Sequence, residues 1–304
     1  MRRKEIAFAV DGVTLAAWLF LPERALPCPS VVMANGFGAT RRARLDAYAE
    51  RFAEHGFAVL VFDYRHFGDS GGEPRLVLDI DRQLDDWRAA VRLARSMPVL
   101  DASFLALWGT SFSGGHVLTV AAEDDALAAV IAQAPFVDGL ASVRQAGFAH
   151  TARLSFSAMR DVARAATNRE PFRIKVAGPP GSLAAMTAPG LEFGYRTIVP
   201  EDGESTDEVA ARVFLSIPTY RPIGVVRRIR CPVLFCVADR DRVAPPEPAL
   251  EAARRVPRAE IRRYDADHFD LYIGEGFERS VADQVEFLLR ALAHRAGPGE
   301  NGPT

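Results

Sequence analysis

Residues 105–115 read Leu105-Ala106-Leu107-Trp108-Gly109-Thr110-Ser111-Phe112-Ser113-Gly114-Gly115. An apolar run ends on a small residue, a serine follows two places on, a second small residue two places further, and a helical pattern then begins. A strand that turns sharply into a helix around a nucleophilic serine needs this composition. The serine takes a strained backbone conformation, and its neighbours two places away must be small to avoid collision. The strict form is G-x-S-x-G, and here Ser113 occupies the fifth position. The plainer reading is a strand-to-helix turn whose serine and threonine merely cap the helix. What lies on either side decides between the two.

Outward from this stretch, short apolar runs alternate with segments of helical period, the pattern of βα units around a parallel sheet. The runs are Ser30–Ala34, Ala58–Phe62, Phe104–Trp108, Ala129–Gln133, Val233–Val237 and Ile261–Tyr264. Val59-Leu60-Val61-Phe62 is continuously hydrophobic, as a strand buried on both faces must be. Ile80, Leu84, Trp87, Val91 and Ala94 form one helical stripe from about Asp79 to Met97, and Phe277, Val281, Val285, Leu288 and Leu292 form another. Shorter helices are expected over Arg41–His55, Gly114–Glu123 and Pro246–Arg255. At the start, Ile6–Val10 and Leu15–Leu21 read as a hairpin around Asp11-Gly12.

From about Phe136 to Arg228 the alternation stops. A helix is expected over Ser142–Thr167, then a Pro/Gly-rich stretch from Gly178 to Gly190, then a short helix over Ser205–Leu215. Scattered apolar residues, Phe148, Phe156, Met159 and Phe214 among them, favour an ordered cap over a loose linker. The predicted division is a core over 1–136 and 229–296, an inserted, mainly helical cap over 137–228, and a disordered tail over 297–304.

A nucleophilic serine needs a base, and the base needs an orienting group. His268 stands in Asp265-Ala266-Asp267-His268-Phe269-Asp270, just past the last strand, and active sites gather at the carboxyl ends of parallel strands. Between serine and histidine, Val233–Ala238 runs into Asp239-Arg240-Asp241, so either carboxylate can serve as orienter. Each piece alone is weak, but three strand-end positions in the order Ser, Asp, His form a joint signal. An oxyanion hole further requires two backbone N–H donors. Phe112 follows the nucleophile, and Phe37 lies in Asn35-Gly36-Phe37-Gly38 after an early strand, between glycines that let the chain turn an amide inward.

Together, Asn35–Gly38, the Asp63–Gly72 loop, the Gly109–Gly115 elbow, Asp239–Val243 and Asp267-His268-Phe269 resemble the α/β-hydrolase superfamily. Within it, the chain looks like dienelactone-hydrolase-like and S15-peptidase-like bacterial serine hydrolases. The resemblance implies an α/β fold with a mostly parallel eight-stranded sheet flanked by helices, an antiparallel second strand, and no cofactor. It also implies ester, thioester, lactone or amide substrates. Aligned on the motif, Ser111 is the nucleophile, His268 the base and Asp241 the orienter, with Phe37 and Phe112 as oxyanion donors and Asp239 left to the turn. Two positions depart from the pattern: Ser113 stands for the second elbow glycine, and Asn35 for the commoner histidine. A non-catalytic binding protein, and an acyltransferase or lyase, are rival uses of the same scaffold.

Composition narrows the partners. The chain carries 37 basic and 39 acidic residues, so it lacks the one-sided positive field of a nucleic-acid binder. No apolar run reaches the roughly 20 residues of a membrane span, and the start lacks the apolar core of a signal peptide. Cys28, Cys231 and Cys236 are too few for a disulfide framework and have no matching pair for zinc, which points to a reducing cytoplasmic setting. The expected partner is a small ester-type molecule, with homo-oligomerisation left open.

Overall fold

The computed structural model describes residues 1–200 and 207–296. The chain opens with β1 (Arg2–Val10) and β2 (Val13–Leu21). Asp11 and Gly12 both take positive φ, 50° and 79°, the left-handed pair that lets a two-residue turn follow the twist of its strands. There follow β3 (Cys28–Ala34), α1 (Leu45–Glu54), β4 (Ala58–Phe62), α2 (Ile80–Ser96), β5 (Leu100–Thr110), α3 (Phe112–Ala121) and β6 (Ala129–Gln133). Between β6 and the next strand of the main sheet, a segment referred to below as the insert comprises α4 (Gly139–Ala146), α5 (Phe148–Ala166), β7 (Arg173–Ala177), β8 (Ala184–Met186), α6 (Leu191–Ile198) and β9 (Glu208–Ala210). The chain then returns through β10 (Val233–Ala238), α7 (Pro246–Arg255), β11 (Ala259–Tyr264) and α8 (Gly274–Ala296).

Eight strands form the main sheet in the order β1-β2-β4-β3-β5-β6-β10-β11. β2 is antiparallel to both neighbours, and every pairing from β4 to β11 is parallel. β3, β4, β6 and β10 are buried along their whole length, which is why their sequences are apolar without alternation. α1 packs with α8 on one face, while α2 and α3 pack together on the other. The stripe predicted on α2 is the buried one, and Asp79 caps that helix by accepting the Arg82 N–H at 3.1 Å. Parallel strands bring the ends of β3, β5, β10 and β11 to one edge of the sheet, where the loops carrying the predicted site residues begin.

Several expectations are corrected. The helix over Ser142–Thr167 is two helices, broken at Gly147 with φ 80° and ψ 158°, a conformation that ends one helix and aims the next. The helix over Ser205–Leu215 is instead β9 followed by a 3₁₀ turn, Ala211–Leu215, with Ser205 and Thr206 outside the described residues. Tertiary bonds override helix propensity there. Val209 pairs with Ile174 across β7, and Asp161 of α5 holds the Arg212 N–H at 2.9 Å and its guanidinium at 2.7 Å. The insert therefore adds a three-stranded sheet, β8-β7-β9, to its helices. α1 starts at Leu45 rather than Arg41, because Arg41 is buried in an ion pair with Asp63 and lies over Trp18. The predicted tail, 297–304, lies outside the described residues. Among those described, no helix is long and apolar enough to cross a membrane.

Candidate active site

Ser111 occupies the turn between β5 and α3 with φ 55° and ψ −121°, a conformation that costs a non-glycine residue about 1–3 kcal/mol. Its own backbone holds it there. The Ser111 N–H donates to Gln133 O at 2.8 Å, and its carbonyl accepts from Phe136 N at 2.9 Å and Gly114 N at 3.0 Å. The requirement for a small residue two places before the serine is explicit. A Cβ on Gly109 would lie 2.3 Å from the Ser113 carbonyl oxygen. Ser113 fits at the other small position because it is buried and its hydroxyl meets Tyr64 Oη at 2.7 Å, an oxygen that also accepts from Trp87 Nε1.

His268 opens a short 3₁₀ helix, His268–Tyr272, directly after β11. The flanking acids, read from sequence as a solvated loop, shape this turn. Asp267 accepts the His268 N–H at 2.8 Å, and Asp270 accepts the Asp267 N–H at 2.7 Å. His268 Nδ1 lies 2.6 Å from Asp241 Oδ2, and both side chains are buried. The other oxygen, Oδ1, accepts from Val243 N at 2.8 Å and Ala244 N at 2.7 Å, so the carboxylate is fully occupied and fixed. Asp239 does not compete. Its carboxylate faces outward to Arg263 at 2.8 Å.

Ser111, Phe37, Phe112 and His268 line one cavity of about 420 Å³, with Asp241 behind the imidazole. Among the described residues, Ser111 and His268 share this wall without a direct hydrogen bond. The Asn35–Gly38 loop packs directly on the serine: a Cβ on Gly36 would stand 2.8 Å from Ser111 Cβ. Asn35 fixes that loop. Its amide nitrogen donates to Thr40 O at 2.8 Å and Ala43 O at 2.9 Å, and its oxygen accepts Gly36 N at 2.8 Å. The Phe37 and Phe112 rings meet edge to face, 5.6 Å apart. Phe112 is the first residue of α3, where an amide has no intrahelical acceptor, and the Phe37 N–H has none among the described residues.

The sequence reading missed the polar groups that hold these parts together. Tyr48 Oη of α1 lies 2.8 Å from Gln133 Oε1 and 2.9 Å from Ser280 Oγ. Gln284 of α8 donates to the same Gln133 oxygen at 2.8 Å and accepts from Trp108 Nε1 at 2.8 Å. Thr110, the residue before the serine, bonds Tyr272 Oη at the end of the histidine turn. Burial pushes the Tyr48 and Tyr272 phenols well up, so both stay protonated. The nucleophile strand and the histidine turn are thus joined through the interior. The available signal was a glutamine closing the otherwise apolar β6. A second miss is Arg242, whose guanidinium bridges Asp267 beside the histidine and Pro189 O of the insert.

The arrangement can deprotonate a hydroxyl and accommodate a developing oxyanion. Comparison with known proteins shows what the chain is similar to. A family model described as X-Pro dipeptidyl-peptidase (S15 family) matches residues 11–177. The quorum-quenching protein AidA of Acinetobacter baumannii (strain MDR-ZJ06) is 45% identical over 288 residues, covering 95% of each chain. The polyketide transferase ATR5 of Stachybotrys chlorohalonatus (strain IBT 40285) is 29% identical, over 96% of this chain and 98% of its own. Among solved structures, the α/β-hydrolase GrgF from Penicillium sp. sh18 superposes with a TM-score of 0.82 at 27% identity, covering 96% of this chain and all of its own.

Proposed function

The chain belongs to the X-Pro dipeptidyl-peptidase (S15) family of α/β-hydrolases, and on that premise we propose that it is a serine hydrolase cleaving a carboxylic ester, lactone or thioester through an acyl-enzyme. Ser111 Oγ attacks the carbonyl carbon as His268 Nε2 takes its proton. Asp241 holds the Nδ1–H tautomer through the 2.6 Å contact, so that Nε2 is the free base. The Phe37 and Phe112 amides stabilise the tetrahedral oxyanion. His268 then protonates the leaving oxygen or sulfur, and water, deprotonated in turn by His268, releases the acid and restores Ser111.

The observation that carries this reading is a buried Asp241–His268 hydrogen bond whose imidazole lines the same cavity as a serine on a strained strand-to-helix turn. Ser111→Ala tests it: turnover of p-nitrophenyl butyrate should fall by at least about 10³-fold in a folded variant. Activity within tenfold of wild type would end the assignment. The cavity's aromatic wall (Phe37, Phe112, Phe136, Phe214) supports a moderately hydrophobic acyl or alcohol group, with the insert acting as a cap. The name of the 45%-identical relative supports a small-molecule messenger as substrate. The three cysteines, free and buried, are compatible with a reducing cytoplasmic setting.

A second reading has its own support in the polyketide transferase at 29% identity across nearly the whole chain. There the acyl-enzyme passes its acyl group to an alcohol or amine instead of water. Product analysis with and without added nucleophile separates the two. Transfer exceeding hydrolysis at millimolar acceptor favours the transferase.

A further inference from the structure

One side chain in the cavity has a polar atom that the proposed mechanism leaves unused. His150, on the first turn of α5, lines the wall contributed by the insert, and its Nε2 is buried with no hydrogen-bond partner among the described residues. Burial outweighs the nearby Ala185 and Ala184 backbone, which pulls the other way, and holds the imidazole below the ordinary histidine range, so it is neutral at neutral pH. Buried polar atoms in native proteins are nearly always paired, and an orphan in a ligand cavity marks a place where a ligand or water completes the bond. Ser155, five residues further along α5, and Thr187, just after β8, also line the cavity, and neither hydroxyl has a protein partner among the described residues. The core side of the cavity is different in kind, built from phenylalanine rings around Ser111.

We propose that His150, with Ser155 and Thr187, forms a specificity-determining shelf that hydrogen-bonds a neutral polar group, an amide or a hydroxyl, carried by the substrate away from the scissile carbonyl. This rests on the serine-hydrolase reading and adds the substrate class to it. A neutral imidazole offers a donor or an acceptor at Nε2 according to tautomer, so it can meet either side of an amide. An ionised group is disfavoured. Arg242 on the cavity wall is already taken by Asp267 and Pro189 O, so a buried anion there would lack a counter-charge.

The test uses p-nitrophenyl esters of one chain length, one with a plain alkyl chain and the others with an amide at successive positions. In the wild type, at least one amide ester should exceed the alkyl ester in kcat/KM by roughly tenfold, the worth of one well-made neutral hydrogen bond. In His150→Phe that ratio should collapse toward one, and in His150→Gln, which keeps a donor and an acceptor, it should be largely kept. A wild type that prefers the alkyl ester at every position overturns the proposal. So does a ratio unchanged in His150→Phe, or lost equally in His150→Gln. The readout is a ratio between substrates, whereas failure of the serine-hydrolase reading appears separately, as full-rate turnover of every ester by Ser111→Ala.

Discussion

Asp241→Asn puts the relay to a quantitative test. Asparagine keeps the shape of the carboxylate but replaces one oxygen with a donor. Oδ1 of Asp241 accepts two backbone N–H groups, from Val243 at 2.8 Å and Ala244 at 2.7 Å. The asparagine oxygen is therefore drawn to that side, and its NH₂ faces His268 Nδ1. The imidazole must then accept at Nδ1 and carry its proton on Nε2, where it cannot take the serine proton. In the general Ser-His-Asp scheme this wrong tautomer costs about 10⁴ in kcat, or about 5.4 kcal/mol. Flipping the amide restores the tautomer but points NH₂ at two N–H donors, one buried and one part-buried. Leaving both unsatisfied costs about 2–4 kcal/mol together, a loss of roughly 30- to 10³-fold. Whichever route the variant takes, kcat on p-nitrophenyl butyrate should fall between about 30-fold and about 10⁴-fold. KM should change little, because Asp241 sits behind His268 and off the cavity wall. Steady-state kinetics on protein whose near-UV circular dichroism matches wild type decides the matter. A loss below tenfold would refute the assigned role of Asp241.

Three further outcomes follow from the same geometry. Gly36→Ala places a Cβ 2.8 Å from Ser111 Cβ and 3.2 Å from Oγ; kcat should drop by roughly 10²-fold and stability by about 1–3 kcal/mol, measured by ester kinetics beside urea titration. Ser113→Gly restores the strict elbow pattern but removes the 2.7 Å bond to Tyr64; stability should fall by about 1–2 kcal/mol in urea titration while ester turnover persists. His116, buried on α3 between Tyr220 and Gln83, is pushed down by burial to about 3 from the ordinary histidine value of 6.5. Its neutral form is the folded one. Its contribution is therefore complete above pH 6.5 and is lost as pH falls toward 3, by up to about 1.4 kcal/mol per pH unit while the unfolded chain alone takes the proton. Urea unfolding at pH 7.5 and pH 5 should show this slope in the wild type and a flatter one in His116→Gln.

What could be read from the chain depended on how local the physics was. β3, β4, β6 and β10 are buried on both faces, so their apolar runs alone located them. The α2 stripe and the Asp11-Gly12 turn were equally self-contained. Ser111 and His268 stood out because strand ends and loop composition are visible along the chain. The preference for Asp241 over Asp239 came from motif alignment and not from local physics, because the outcome depends on where the chain bends after Ala238. The structure sends Asp239 to Arg263 and Asp241 to His268. Inside the insert, β8 and β9 are three residues each and gain their order from β7 and Asp161, far away in sequence. The Tyr48–Gln133–Gln284 cluster joins three elements across the interior, and no sequence period announces it. Asn35 looked like a departure from the family pattern, yet its three hydrogen bonds make it the clip that holds the Phe37 loop over the serine.

The most direct measurement is covalent. Incubating the intact protein with a fluorophosphonate and mapping the adduct by peptide mass spectrometry asks whether one hydroxyl is activated. One equivalent of label on Ser111, with labelling slowed by at least about 10²-fold in His268→Ala, is the predicted result. Folded protein that takes up no label, or carries it on another residue at the same rate, would contradict the account.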